Sequence, residues 1–196
     1  PGLRLTGLSA TVADPDHLTD WMGGAKLVRV QGGAKAEVSV LVSEERIPWS
    51  GHSGRFAVSE VYEKIKVAKL ALVFVNTRSQ AELMFQELWR VNEDALPIAL
   101  HHGSLDKAQR VKVEQAMAAG VLRGVVCTST LDLGIDWGDV DLVIQMGAPK
   151  GASRLIQRIG RANHRLDEAS NAVLVPTNRF EVLECKAAQD AVALGE

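Results

Sequence analysis

The sequence predicts an α/β fold in which a mostly parallel sheet carries helices on both faces. Three observations support this. From residue 57 onward, short apolar runs alternate with longer stretches of helical periodicity. Strand followed by helix followed by strand implies right-handed β-α-β units. Polar clusters also follow the apolar runs directly, and the carboxyl ends of parallel strands are where ligands collect.

Taken in order, LRLTGLSATV (residues 3–12) reads as a strand stopping at Ser9-Ala10-Thr11. Asp14 then Pro15 is a helix start, cap followed by first-turn proline, and Gly23-Gly24 ends that helix. A chain opening inside a strand, without a start methionine, reads as a piece of something longer. Lys26 to Val30 and Glu37 to Val42 alternate like strands around the turn-prone Gly32-Gly33, and SEERIPWSGHSG (43–54) is a polar loop. A domain boundary is expected between about residues 25 and 50.

The regular part then begins. Helices are expected over 57–69, 79–90, 105–119, roughly 151–163 and 179–194, with Gly120 as a C-terminal stop. Strands are expected over 70–75, 98–101, 121–127, 140–144 and 172–175.

Composition is that of a globular domain with a real core, with 46% hydrophobic and 23% charged residues among 196. A net charge of −2 gives no global attraction for nucleic acid, so any anion site must be a local patch. Cys127 and Cys185 are too few for a disulfide framework or a zinc site, and none of the five histidines stands at a metal-ligand spacing. No apolar run approaches the ~18 residues of a membrane span, and no signal peptide opens the chain. A reducing, cytoplasmic setting is the default expectation.

The most unusual stretch is GAPKGASRLIQRIGRANHR, residues 147–165. Lys150, Arg154, Arg158, Arg161 and Arg165 are spaced by four, four, three and four residues, so a helix lines them along one face. Leu155, Ile156 and Ile159 would form its buried side. The stretch holds no acidic residue, and a row of forked guanidinium donors suits phosphate better than an ordinary mixed-charge surface.

Three further clusters follow strands. Asn76-Thr77-Arg78 stands at a helix mouth, where it is either a simple cap or a phosphate site. His101-His102-Gly103-Ser104 reads as a surface turn rather than a metal site; Gly103 allows close backbone approach, Ser104 is a candidate cap, and Arg110 follows. Thr128 to Asp136 offers hydroxyls for phosphate, while Gly134 and Asp136 suit a sugar, a partner Arg or a plain turn. Convergence of such clusters on one sheet edge is stronger than any one of them. Trp49 and Trp137 offer surfaces for bases, although packing is the commoner fate of a Trp.

The absences matter too. The chain has no G-x-x-x-x-G-K-[ST] loop, no strand-end Asp-Glu pair for Mg²⁺, no nucleophile triad and no dinucleotide fingerprint. By itself it is expected not to hydrolyse ATP, though it can supply the second wall of a site whose first wall lies elsewhere.

Leu8 to Thr11, Val73 to Arg78, His101 to Leu105, Thr128 to Asp136 and Gln157 to His164 resemble, in order, the later motifs of superfamily 2 DExH-box helicases. Within these they are most like the Lhr group and its bacterial ligase-associated DEXH-box DNA helicases. LDLGIDWGDVDLVIQ and GASRLIQRIGRANHR carry that finer likeness. The resemblance implies a RecA-like helicase C-terminal domain over residues 55–196, a linker with entry strands over 26–54, and the end of a first RecA-like domain over 1–25.

It further implies that Arg161 is the arginine finger reaching the ATP γ-phosphate, with Gln157 and Arg158 organising that site. Gly134 and Asp136 would touch nucleotide. His164 stands where many relatives have a second Arg, so Arg161 acts alone, His164 donates, or Arg165 takes the role. Asn76, Thr77, Arg78, His102, Gly103, Arg110, Thr128 and Ser129 match positions that hold the tracked strand's backbone. Ser9, Ala10 and Thr11 match the motif coupling ATP state to strand grip. ATP and Mg²⁺, held mainly by the first domain, are the implied cofactors. Single-stranded DNA or a DNA/RNA duplex is the implied partner, with ligase and nuclease repair partners and no membrane. The contrasting reading is a non-catalytic nucleic-acid-binding α/β module.

Overall fold

The computed structural model describes residues 6–8, 14–28, 36–132, 139–160 and 170–194. The chain divides into two compact units, Pro1–Gly32 and Gly33–Glu196. In the first, the Asp14 carboxylate caps helix α1 (Pro15–Trp21) by accepting from the His17 N–H at 3.0 Å. Gly23 and Gly24 end it at φ of 78° and 79°. The strands expected before and after α1 are not found in Thr6–Leu8 or Lys26–Val28, and the rest of both stretches lies outside the described residues. Alternating apolar residues make a strand only where a ladder partner takes up the backbone groups, and these residues enter no ladder.

The second unit is a six-stranded sheet in the order β1-β6-β5-β2-β4-β3, with every neighbouring pair parallel. Its strands are β1 (Glu37–Val40), β2 (Ala71–Phe74), β3 (Ile98–His101), β4 (Gly124–Cys127), β5 (Leu142–Met146) and β6 (Asn171–Val175). Its helices are α2 (Val58–Val67), α3 (Arg78–Val91), α4 (Lys107–Ala118), α5 (Ala152–Ile159) and α6 (Arg179–Leu194). The sequence reading groups residues 37–42 with the entry segment, but β1 is the edge strand of this same sheet, in register with Asn171–Leu174.

Two strands start later than their apolar runs suggest. Val121 N–H bonds back to Ala116 at 3.0 Å, so residues 121–122 finish the turn after α4. The Asp141 carboxylate accepts from the Lys69 and Leu70 N–H groups at 2.9–3.1 Å, so 140–141 form a lead-in to β5. Helix α4 starts at Lys107, with Asp106 in the N-cap position that the sequence offered to Ser104. Of the basic helix, 152–159 is observed and 161–163 lies outside the described residues.

The alternation of side chains along each strand sorts the core into two layers. Ala71, Val73, Val75, Ile144 and Val173 face α2 and α3, meeting Ile65, Met84 and Leu88. Leu72, Phe74, Val125, Val143 and Leu174 face the other way, meeting Met117 of α4, Leu155 and Ile159 of α5, and Cys185 of α6. Both faces of β2 and β4 are therefore covered, which is why they read as unbroken apolar runs. Each fully buried Leu, Ile, Phe or Met contributes roughly 1.5–3 kcal/mol. Because all strands run the same way, the residues that follow them share one edge of the sheet. The order reverses across β2, with β4 and β3 on one side and β5, β6 and β1 on the other, and ligands favour the carboxyl edge beside such a reversal.

Candidate nucleotide and nucleic-acid site

The β2 and β3 ends meet at the mouths of α3 and α4. Thr77 is the N-cap of α3, its hydroxyl accepting from the Gln80 N–H at 3.2 Å. Asn76 turns the other way and donates to the Ala148 carbonyl at 3.1 Å, joining the β2 and β5 ends. Gly147, at φ 78°, makes that approach possible, since a Cβ there would sit 3.3 Å from Asn76 Nδ2. The exposed Arg78 donates through Nη1 to Ser104 Oγ at 3.2 Å and lies 3.5 Å from Glu82. Ser104, expected as a cap, instead ties the two strand ends together.

The histidines depart from the surface turn the sequence suggested, for both are buried. His101, the last residue of β3, is held between Glu114 (Nε2 to Oε1, 3.1 Å) and Thr130 (Nδ1 to Oγ1, 2.8 Å). His102 Nδ1 accepts from the Ser104 N–H at 3.3 Å, which puts the proton of the neutral ring on Nε2. That Nε2 is 3.5 Å from Glu82 Oε1 and has no hydrogen-bond partner among the described residues. Burial holds the His102 pKa below the usual range despite the opposing pull of Glu82, and the Arg78 guanidinium adds to the lowering. Beyond Gly103, Arg110 stands in the first turn of α4, with Nε buried and likewise unpartnered among the described residues. Thr128 is half-buried at the β4 end and Ser129 is exposed beside it.

On α5, Leu155 and Ile159 are buried as expected, while Ile156 is half-buried. Among the described residues, the row of cations is of two kinds. Lys150 and Arg154 are exposed. Arg158, expected in an unpaired phosphate-facing row, is only 2% exposed. Its Nε donates to Asp132 Oδ1 at 2.8 Å and its Nη2 lies 3.4 Å from Oδ2. Its Nη1 donates to Gln145 Oε1, and the guanidinium lies 4.6 Å from the centroid of the Phe74 ring. Helical spacing put Arg158 on the basic face, but it cannot show that Asp132 and Gln145 converge on it from two strand ends. The signals for this in the sequence are a Gln inside the apolar run LVIQM and an Asp between two leucines.

Gln157 is half-buried on the same helix. Arg161, His164, Arg165, Gly134, Asp136, Trp137, Ser9, Ala10 and Thr11 lie outside the described residues. Trp49 carries the Arg179 guanidinium over its ring at 4.2 Å. Among the described residues, no group of three or more His, Cys, Asp or Glu could hold a metal ion, and no helix is long and apolar enough to cross a membrane. Cys127 and Cys185 are buried, and burial raises both thiols, that of Cys185 to about 12, so neither is a nucleophile.

Residues 56–165 match the helicase conserved C-terminal domain. The chain belongs to that family. Its relatives are of the Lhr type within superfamily 2, as the motifs suggested. The chain is 31% identical over 190 residues to the ATP-dependent helicase Lhr-Core of Saccharolobus solfataricus, matching 91% of this chain and 22% of the relative. It is 42% identical over 124 residues to the ATP-dependent helicase Lhr-Core protein 2 of Thermococcus barophilus, 63% of this chain and 14% of the relative. This helicase domain thus spans less than a quarter of either relative's length. Among solved structures it resembles the Mycobacterium smegmatis helicase Lhr bound to ssDNA and AMP-PNP, with a TM-score of 0.86 and 32% identity. That match covers 97% of this chain and 26% of the other. The observed sheet is the RecA-like helicase C-terminal fold.

Proposed function

We propose that this domain is the second motor half of an ATP-driven DNA helicase, gripping one strand by its phosphates and completing an ATPase site across an interdomain cleft. The observation that carries this reading is the single carboxyl edge of the sheet. There Thr77, Arg78, Ser104 and Ser129 present exposed donors, and Lys150 and Arg154 present exposed cations. The edge belongs to a helicase family fold whose Mycobacterium smegmatis relative is described with ssDNA and AMP-PNP.

Backbone-directed donors make binding tolerant of sequence and sensitive to salt. A Cβ at Gly103 would meet only Thr130 Cγ2 at an ordinary 3.7 Å, so the fold itself does not demand glycine there, and space for a strand is a reason to keep one. On this reading residues 1–25 close a first RecA-like domain, and Ser9 to Thr11 couple it to the strand. Residues 55–196 form the second, with Arg161 as the finger and Gly134 and Asp136 facing the nucleotide. ATP with Mg²⁺ would supply the free energy for domain closure and release. Of the basic row, Lys150 and Arg154 are the phosphate-suited groups among the described residues, since Arg158 is already engaged. The reading includes a DNA-repair setting, which the resemblance to ligase-associated helicases implies.

The test compares ATP hydrolysis by the intact protein, with and without single-stranded DNA, for wild type and Arg161→Ala. The expected outcome is DNA-stimulated hydrolysis that falls ~10³-fold or more in the variant while DNA binding survives. Persistent hydrolysis with weakened DNA binding would make Arg161 a backbone contact. No hydrolysis in the wild type would favour a plain binding module.

A further inference from the structure

The buried cluster Asp132–Arg158–Gln145–Phe74 takes no part in the strand-gripping set, and its geometry assigns it a different task. We propose that Arg158 is a positioning residue. It locks the turn after β4 to helix α5, fixing where the chain departs toward Gly134 and Asp136 on one side and toward Arg161 on the other. It does not itself bind phosphate. The proposal rests on the nucleotide-facing reading of those three residues.

Four elements meet at this guanidinium. Asp132 ends the 3₁₀ turn Ser129–Leu131 after β4, and Gln145 lies on β5. Phe74 ends β2, and Arg158 occupies the last turn of α5. Gln145 is itself fixed, since its Nε2 donates to the Met146 carbonyl at 3.0 Å and the Gly147 carbonyl at 3.3 Å. Nε, Nη1 and Nη2 of Arg158 are thus all directed at protein acceptors, and one flat face lies on a ring. To reach a phosphate, Arg158 would have to leave Asp132, whose side chain is 8% exposed, without this partner in the core.

Stability alone does not account for the arrangement. A buried ion pair seldom outperforms well-packed apolar residues of the same volume, because desolvation offsets the attraction. What a forked pair adds is a defined geometry between two backbones. Asp132 stands two residues before Gly134, and Arg158 three before Arg161, so both partners of the pair lie close in sequence to the residues read as nucleotide-facing. Arg154 Nε lies 3.7 Å from Asp132 Oδ2, which places an exposed cation on the same anchor.

The test measures kcat and KM for DNA-stimulated ATP hydrolysis by the intact protein in Arg158→Met, Asp132→Asn, the double variant and Arg158→Lys. Amide hydrogen exchange is followed in residues 128–132 and 152–160. Each of the first two variants is expected to lose ~10²-fold in kcat, the size of a 1 Å misplacement, with KM for ATP little changed. The double variant should be no worse than the worse single, and Arg158→Lys should regain part of the loss. Exchange should rise in both segments whichever partner is removed.

Wild-type kcat in Asp132→Asn beside a loss in Arg158→Met would make Arg158 a direct phosphate ligand and overturn the proposal. Lowered Tm with unchanged kcat per folded molecule would overturn it as well, leaving only a structural pair. If the wild type hydrolyses no ATP, the proposed function fails separately. Unchanged protection in both segments would refute the brace whether or not ATP is hydrolysed.

Discussion

Arg78 at the mouth of α3 and Arg158 on α5 both stand at the carboxyl edge of the sheet, yet their surroundings are opposite. The Arg78 side chain is 58% exposed, makes one neutral hydrogen bond to Ser104, and has a loose contact with Glu82. The Arg158 side chain is 2% exposed and is bound to a carboxylate, an amide and a ring. An exposed arginine can trade solvent and weak partners for a phosphate at little cost. A buried, fully directed one cannot, so its contribution is geometric. Residue type and helical spacing draw no such line between them.

The largest expected effect breaks the closed side. Asp132→Ala leaves the Arg158 charge buried without this partner and should destabilise the fold by about 3–5 kcal/mol, whereas Asp132→Leu with Arg158→Met should recover most of it. Chemical denaturation of the three proteins checks this, and an additive double variant would show that the pair does not act as a unit.

A smaller effect sharpens the open side, where His102 is a buried group whose pKa burial lowers. Its folded pKa lies below the ordinary 6.5, so between the two values the unfolded chain binds the proton and the folded chain does not. This share of stability is intact above about pH 6.5 and is lost as pH falls through the folded value. His102→Gln should therefore flatten the acid-side decline of Tm between pH 7.5 and pH 5. An identical decline in the variant would mean that His102 is not the group responsible.

The sheet was largely legible because parallel strands covered on both faces must be apolar throughout, as in Ala71–Phe74 and Gly124–Cys127, and because Asp14-Pro15 and Gly120 punctuate helices by local chemistry. Strand starts were less legible. The Asp141 carboxylate and the turn after Gly120 decide them, and neither leaves a mark on hydropathy. Asn76, Thr77, Arg78 and Ser104 could be read as a strand-end cluster from position alone. The burial of His101 and Arg158 could not, because it depends on Glu114, Thr130, Asp132 and Gln145 arriving from distant segments. Spacing locates a residue on its own element but gives no information about what packs against that element.

The contrast between the two arginines is tested most directly by the salt dependence of single-stranded DNA binding. The slope of log K against log salt would be measured for wild type, Arg78→Ala and Arg158→Met in the intact protein. Removing a phosphate contact should reduce the slope by ~0.7 in Arg78→Ala, since one fewer counterion is released. The slope should be unchanged in Arg158→Met. A reduced slope in Arg158→Met, with Arg78→Ala unaffected, would contradict the division of the edge into a gripping part and a bracing part.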